Sequence, residues 1–205
     1  MPPLELLCDI CASFHMRGYA FGSTGNVSIR SGGDIWVTPT GRSLRNLTPD
    51  QLACISEEGS ARNANAPSKE SPFHLAAYAA AGGRAAAIVH LHSPWSTAMS
   101  CLADPQFPPI TPYFQMRVAP LAVVPYYRPG SAELAAAVGA AARDHNCMLL
   151  RNHGIICLGR TLEEAIDRTE ELEETSKLLL TLRGEKLQLL TNEELTDIVR
   201  TFGVK

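Results

Sequence analysis

A surplus of positive charge is missing from this chain: 18 Lys and Arg stand against 21 Asp and Glu, giving a formal charge of -3 and an isoelectric point near 6.1. No global basic field is present to hold a nucleic-acid backbone or an anionic membrane, so any anionic ligand is met locally. An apolar run long enough to span a bilayer is also missing. The opening MPPLELLCDICASF has Glu5 and Asp9 in place of a basic n-region, which argues against a secretory signal and for a cytoplasmic location. The six cysteines (Cys8, Cys11, Cys54, Cys101, Cys147, Cys157) lack the dense spacing of a secreted disulfide scaffold and read as reduced. Cys8 and Cys11 share one face of a predicted helix, but no second Cys or Cys/His pair completes a zinc site, so they read as core packing.

What is present is enough for one core: 205 residues, 45% of them hydrophobic, with no repeat, linker or low-complexity tract. A single domain over residues 1–205 is expected. Helical periodicity runs through LELLCDICASFHMRG to Gly18, whereas NVSIR and DIWVT alternate about the turn SGG and read as a hairpin. SKESPFHLAAYAAAGG reads as a helix with Ser68 as N-cap, AAAIVHLHS as an apolar strand, and PWSTAMSCL as a helix with Pro94 in its first turn. Residues 103–115, with four prolines, are expected to form an ordered surface loop, and RVAPLAVVPYY a strand. SAELAAAVGAAARDH reads as a helix capped by Ser131. CMLLRNHGIICLG reads as two strands turning at Asn152-His153-Gly154, with positive φ assigned to the glycine. The strongest helix is TLEEAIDRTEELEETSKLLLTLRG, with a Thr161/Glu164 capping box, a solvated glutamate face and a stop at Gly184; TNEELTDIVRTFG adds a short one. Helices and strands alternate with at least two hairpins, which favours a mixed α/β sheet covered by helices.

His90 and His92 interrupt an apolar run one residue apart. In a strand they project to the same face ~6–7 Å apart, and neutral imidazole is the commonest ligand for a borderline cation. His153 at a Gly-flanked turn is a third candidate, since three histidines with an open position form a catalytic zinc arrangement; satisfied polar residues or a water-facing turn histidine account for them equally. Glu70 opens a helix whose free N–H groups attract anions, and Ser68, Lys69, GNVS and TPTG offer donors suited to phosphate oxygens, although each alone also suits a turn. His74, one helical turn after Glu70, is either its partner or a satisfied core histidine. Arg117 and Arg128 are further anion-binding or solvated candidates, and His15 and His145 sit near helix ends.

In sequence order, GSTGNVSIR, WVTPTG, PSKE, VHLHS, TPYF and LLRNHG resemble the class II aldolase/adducin family over nearly the whole chain. The resemblance implies a single-domain α/β/α sandwich with a central, mostly antiparallel sheet, assembled as a homotetramer with active sites at subunit interfaces. It makes His90, His92 and His153 the zinc ligands, with another divalent metal as the alternative, and Glu70 the catalytic carboxylate that also touches the metal. It assigns Asn26, Thr40, Gly41 and Ser68 to a phosphate site, and Tyr113 to a proton donor reaching a neighbouring subunit.

One position departs from the aldolases of the family, which carry a second Ser before the glutamate where this chain has Lys69. The stretch PPITPYFQMRVAPLAVVPYYRPG, with NHG and EELEETSKLLL, is most similar to the branch that decarboxylates 3-oxo-tetronate 4-phosphates. That branch implies a metal-dependent carbon-carbon lyase acting on a small phosphorylated sugar acid, with Lys69 as a fixed positive charge and Glu70 or Tyr113 returning a proton to C2. The alternatives are an aldolase or epimerase of another phosphorylated ketose, such as fuculose or ribulose phosphate, and an adducin-like scaffold without catalysis.

Overall fold

The computed structural model describes residues 3–203. Seven helices and seven strands follow in the order α1 (Pro3–Met16), β1 (Asn26–Ser31), β2 (Asp34–Val37), β3 (Ala53–Ile55), α2 (Ser71–Ala81), β4 (Ala87–Leu91), α3 (Pro94–Ser100), α4 (Pro112–Arg117), β5 (Leu121–Val124), α5 (Ala132–Ala142), β6 (Cys147–Leu150), β7 (Gly154–Gly159), α6 (Leu162–Thr181) and α7 (Asn192–Phe202), with three short 3-10 turns between them. The strands form one sheet in the order β3-β2-β1-β4-β7-β6-β5. Every pairing is antiparallel except β5 with β6. No helix of the described residues is long and apolar enough to cross a membrane.

Strand periodicity sorts the core into two layers. Val89 and Leu91 of β4, Leu149 of β6 and Ile155 and Cys157 of β7 join Leu7, Cys11, Phe14 and Leu172 on one face. Ile88, Met148, Leu150, Ile156 and Leu158, one residue out of phase, join Phe73, Ala77, Tyr78, Leu134 and Val138 of α2 and α5 on the other. The central strands are therefore buried on both sides, which is why β4 reads as an apolar run broken only by His90. Cys8 and Cys11 pack in the first layer as free thiols; burial, with Asp9 second, pushes Cys8 up to about 11, as the core reading requires.

The hairpins, the Ser131 cap and Pro94 in the first turn of α3 stand as expected, but several details do not. Ser68 is not the N-cap of α2: the helix starts at Ser71-Pro72 with Glu70 as N-cap, while Ser68 accepts the Glu70 N–H (3.2 Å) in a preceding turn. The proline-rich loop contains α4, because Thr111 caps Phe114 N–H and Pro112 supplies a preset φ at the first helical position. The following strand is shorter than expected and begins only after Pro120, which has no N–H for a ladder. At the β6–β7 turn the positive φ belongs to Asn152 (55°), not to the glycine. Thr161 caps Glu164 N–H, but the capping box is left half-formed because the Glu164 carboxylate turns to Arg160 N–H and Arg168. Finally, the glutamate face of α6 is not all solvated. Glu173 is buried and accepts hydrogen bonds from Ser93 Oγ (2.7 Å), Trp95 N–H and Ser96 N–H (both 2.8 Å), closing the open end of α3.

Candidate metal centre

The site forms where three elements end together. His90 stands on β4 beside Asn26 of β1 and Ile156 of β7. His92 lies just beyond the strand, where Glu173 holds the next residues against α6. His153 sits in the β6–β7 turn, and the approach of that turn to β4 is so close that only glycine fits at position 154: a Cβ there would meet Leu91 O at 2.3 Å and His92 Cδ2 at 3.2 Å. Glu70 enters from the start of α2.

The ligating atoms of Glu70, His90, His92 and His153 all lie within 4.8 Å of one another, the one such group of three or more His, Cys, Asp or Glu side chains among the described residues. His90 Nε2 is 3.0 Å from His92 Nε2 and 3.2 Å from Glu70 Oε2, and His153 Nε2 is 3.3 Å from Glu70 Oε1. The three imidazoles stand nearly perpendicular, with ring centroids 4.8–4.9 Å apart. Ligands bound at ~2.0 Å to a tetrahedral ion lie ~3.3 Å from each other, so these separations suit one small cation.

Two further features support the fit. The His90 Nδ1–H donates to Ile155 O (2.8 Å), which fixes the tautomer and leaves the Nε2 lone pair facing the cluster, as an outer partner of a metal-bound histidine does. Glu70 Oε1 and both ring nitrogens of His153 are buried without a hydrogen-bond partner, although buried polar atoms are ordinarily paired. Burial, then His90 and His153, push His92 down to about 3, so it offers a neutral imidazole. For Glu70, burial alone would raise the carboxyl, but His90 and His153 outweigh it and hold it well below the usual carboxylate range.

The expected phosphate residues divide. Thr40 N–H donates to Ala66 O (3.1 Å) and Ser68 N–H to Thr38 O (3.2 Å), so Thr40, Gly41, Ser68 and the exposed Lys69 lie on two adjoining segments leading into Glu70. Asn26 is buried, with its amide bound to Glu70 Oε2 (2.9 Å) and His74 Nε2 (2.5 Å). His74 is thus both a core histidine and linked to the glutamate through Asn26. Tyr113 is 55% exposed on α4 beneath Arg117, among none of the cluster's contacts within the chain. Ser28, Tyr78 and Glu173 were not anticipated. A signal existed for the first two: Asn26 and Ser28 alternate as polar residues on a strand, and Glu70, His74 and Tyr78 recur at helical spacing.

A partly buried three-histidine, one-carboxylate cluster at the end of the central strand of a helix-covered mixed sheet has the composition of a site for a single metal ion. The model of the Class II Aldolase and Adducin N-terminal domain matches residues 5–180, and the chain belongs to that family. It is 45% identical over 199 residues to a 3-oxo-tetronate 4-phosphate decarboxylase of Haemophilus influenzae, covering 95% of this chain and 94% of that one. It is 40% identical to an L-fuculose phosphate aldolase of Methanococcus maripaludis over 82% of this chain and 91% of that one. The crystal structure of YgbL from Klebsiella pneumoniae superposes with a TM-score of 0.91 at 42% identity, covering 96% of this chain and 97% of that one.

Proposed function

We propose that this protein is a zinc-dependent decarboxylase that converts 3-oxo-tetronate 4-phosphate to dihydroxyacetone phosphate and CO2. The observation that carries the proposal is the convergence of Glu70 with His90, His92 and His153 in a chain 45% identical, nearly end to end, to an enzyme of that name. The substrate is a β-keto acid. Its C1–C2 bond breaks, the electron pair passes into an enediolate over C2 and C3, and a proton delivered to C2 completes dihydroxyacetone phosphate. The three histidines and Glu70 would hold a divalent cation, which would supply Lewis acidity for the negative charge that develops on the 3-oxo oxygen.

The chain's own residues do the rest. Thr40, Gly41, Ser68 and Lys69, on the segments that lead into Glu70, hold the 4-phosphate and so aim C1 away from the anchored end. The proton at C2 comes from Glu70, whose carboxylate rests ionised and must first take a proton up from solvent, or from Tyr113, whose exposure on α4 suits a side chain offered to a neighbouring subunit in a homotetramer. An aldolase must also strip a hydroxyl proton to release an aldehyde; a decarboxylase has no such proton to remove. The second reading, a ketose-phosphate aldolase or epimerase, is favoured by the 40% identity to the Methanococcus maripaludis enzyme and disfavoured by Lys69 in place of the second serine. A non-catalytic scaffold would have no use for four converging ligand side chains. The six free cysteines suit the reducing cytoplasm assigned to it.

The test is release of CO2 and dihydroxyacetone phosphate from enzymatically generated 3-oxo-tetronate 4-phosphate by zinc-loaded, EDTA-stripped, Glu70→Gln and Tyr113→Phe protein. Metal-dependent turnover is expected; a Tyr113→Phe protein that keeps its zinc but loses turnover identifies Tyr113 as the proton donor, and one that keeps full turnover leaves that role to Glu70. Folded, zinc-loaded protein that released no CO2 yet cleaved a ketose phosphate would replace this reading with the aldolase.

A further inference from the structure

Behind Glu70 runs a line of buried polar side chains that alternates between α2 and β1. Glu70, His74 and Tyr78 recur every four residues and so share one face of the helix, while Asn26 and Ser28 share one face of the strand beneath it. Asn26 Nδ2 meets Glu70 Oε2 at 2.9 Å, Asn26 Oδ1 meets His74 Nε2 at 2.5 Å, His74 Nδ1 meets Ser28 Oγ at 2.8 Å, and Ser28 Oγ meets the Tyr78 hydroxyl at 2.9 Å. Asn26, Ser28, His74 and Tyr78 are each 3% exposed or less. At the far end the Arg30 guanidinium stacks over the Tyr78 ring at 4.7 Å.

The donor and acceptor chemistry allows one direction. An ionised carboxylate only accepts, so Asn26 turns its NH2 to Glu70 and its oxygen to His74. That oxygen only accepts, so His74 carries its proton on Nε2. Fully buried with no carboxylate against its ring, His74 is neutral, and Nδ1 therefore accepts from the Ser28 hydroxyl. With its own proton committed, Ser28 accepts from Tyr78. Four hydrogen bonds thus point the same way and polarise one another toward Glu70 Oε2. They also occupy the Asn26 carbonyl and one of its two amide N–H bonds, which leaves the other N–H for a ligand.

We propose that Asn26 and His74 are positioning residues: the relay Tyr78–Ser28–His74–Asn26 locks Glu70 by its Oε2 and turns Oε1 toward His153, where ion and substrate are met. The proposal rests on Glu70 being the working carboxylate of the metal centre, and not on the identity of the substrate. It makes Glu70 a group whose aim is set by residues that touch neither ion nor substrate.

The test compares His74→Phe, which keeps the ring stacked on Phe73 but cannot donate or accept; His74→Gln, whose amide can donate to Asn26 and accept from Ser28; and Asn26→Ser, which removes the bridge to Glu70. Zn²⁺ affinity is measured by competition with a chromophoric chelator, the ligand field by the visible spectrum of the Co²⁺ form, and turnover as kcat and KM. Loss of an outer partner of a metal ligand costs ~10–100-fold in affinity or activity, and that loss is expected for His74→Phe and Asn26→Ser. It should fall on kcat and Zn²⁺ affinity, with KM within about threefold and an altered Co²⁺ spectrum, and His74→Gln should recover most of it. If His74→Phe does not fold, Asn26→Ser carries the same expectation. Wild-type Zn²⁺ affinity and Co²⁺ spectrum in folded Asn26→Ser or His74→Phe would overturn the proposal. So would a His74→Gln protein as defective as His74→Phe, or an Asn26→Ser protein with raised KM and unchanged kcat, which would return Asn26 to the phosphate. The metal readouts decide the relay even if wild-type protein fails to decarboxylate the tested substrate.

Discussion

Replacing Gly154 with alanine tests whether the closeness of β4 and β7 builds the metal centre. The added Cβ would lie 2.3 Å from Leu91 O and 3.2 Å from both Leu91 C and His92 Cδ2. A carbon and a carbonyl oxygen need ~3.2 Å, so the strands must part by close to 1 Å, about twice the ~0.5 Å within which a site holds its geometry. The strain falls between the residues that carry His92 and His153. Overpacking of this kind costs ~2–3 kcal/mol, which for a chain of this size lowers Tm by roughly 4–12 °C. Gly159→Ala is the matched control: its Cβ meets Ala165 N at 2.4 Å and Thr161 O at 2.5 Å, an equal clash at the other end of the same strand. Both variants should lose similar stability by thermal melts. Only Gly154→Ala should lose Zn²⁺ affinity by ten-fold or more in chelator competition. Equal Zn²⁺ affinities in the two folded variants would refute the claim that this contact sets the ligand geometry.

Three other outcomes follow from the same structure. Zinc at 100 times its dissociation constant should stabilise the protein by ~2.7 kcal/mol and raise Tm in proportion, with EDTA reversing the shift; a melt indifferent to both would remove the metal from the fold. Burial, with His90 second, pushes His74 from 6.5 down to about 3. The folded state therefore stays unprotonated while the unfolded state gains a proton below pH 6.5, so stability falls as pH drops through that range, by ~2 kcal/mol at pH 5. His92, likewise pushed down to about 3, adds a similar slope, so urea unfolding of metal-free protein between pH 7 and 5 should show both contributions, and His74→Phe should remove only its own share. Glu173→Gln sets an amide NH2 among three donors, Ser93 Oγ, Trp95 N–H and Ser96 N–H. A loss of ~2–3 kcal/mol with weaker Zn²⁺ binding through His92 is expected, read by denaturant melts and chelator competition; wild-type values in both would make Glu173 a spectator.

Much of the fold was legible because its signals are local. Ser131 before an alanine-rich run, Pro94 after His92 and the alternation around SGG each act through neighbours in sequence. Boundaries failed where one nearby group outcompeted another: Glu164 left its own cap for Arg160 and Arg168, each four residues away, and Glu70 displaced Ser68 as the N-cap of α2. Glu173 could not be told from its solvated neighbours, since nothing in EELEE marks the one glutamate that α3 approaches.

By itself, then, the sequence determined the alternation of helices and strands, the free cysteines, all but Cys101 of them buried, and the candidate ligands His90, His92, His153 and Glu70, because residue type and spacing carry that information. Tertiary structure alone decided that these four meet within 4.8 Å, that Asn26 faces Glu70 and His74, and that Gly154 is needed for a close approach. Those facts depend on the pairing of β4 with both β1 and β7, contacts between residues as far apart in sequence as Ala87 and Gly159, and on the hydrogen bond from His90 Nδ1–H to Ile155 O. No period or spacing along the chain encodes such a distance; it is set only when the sheet closes and the two apolar layers are packed.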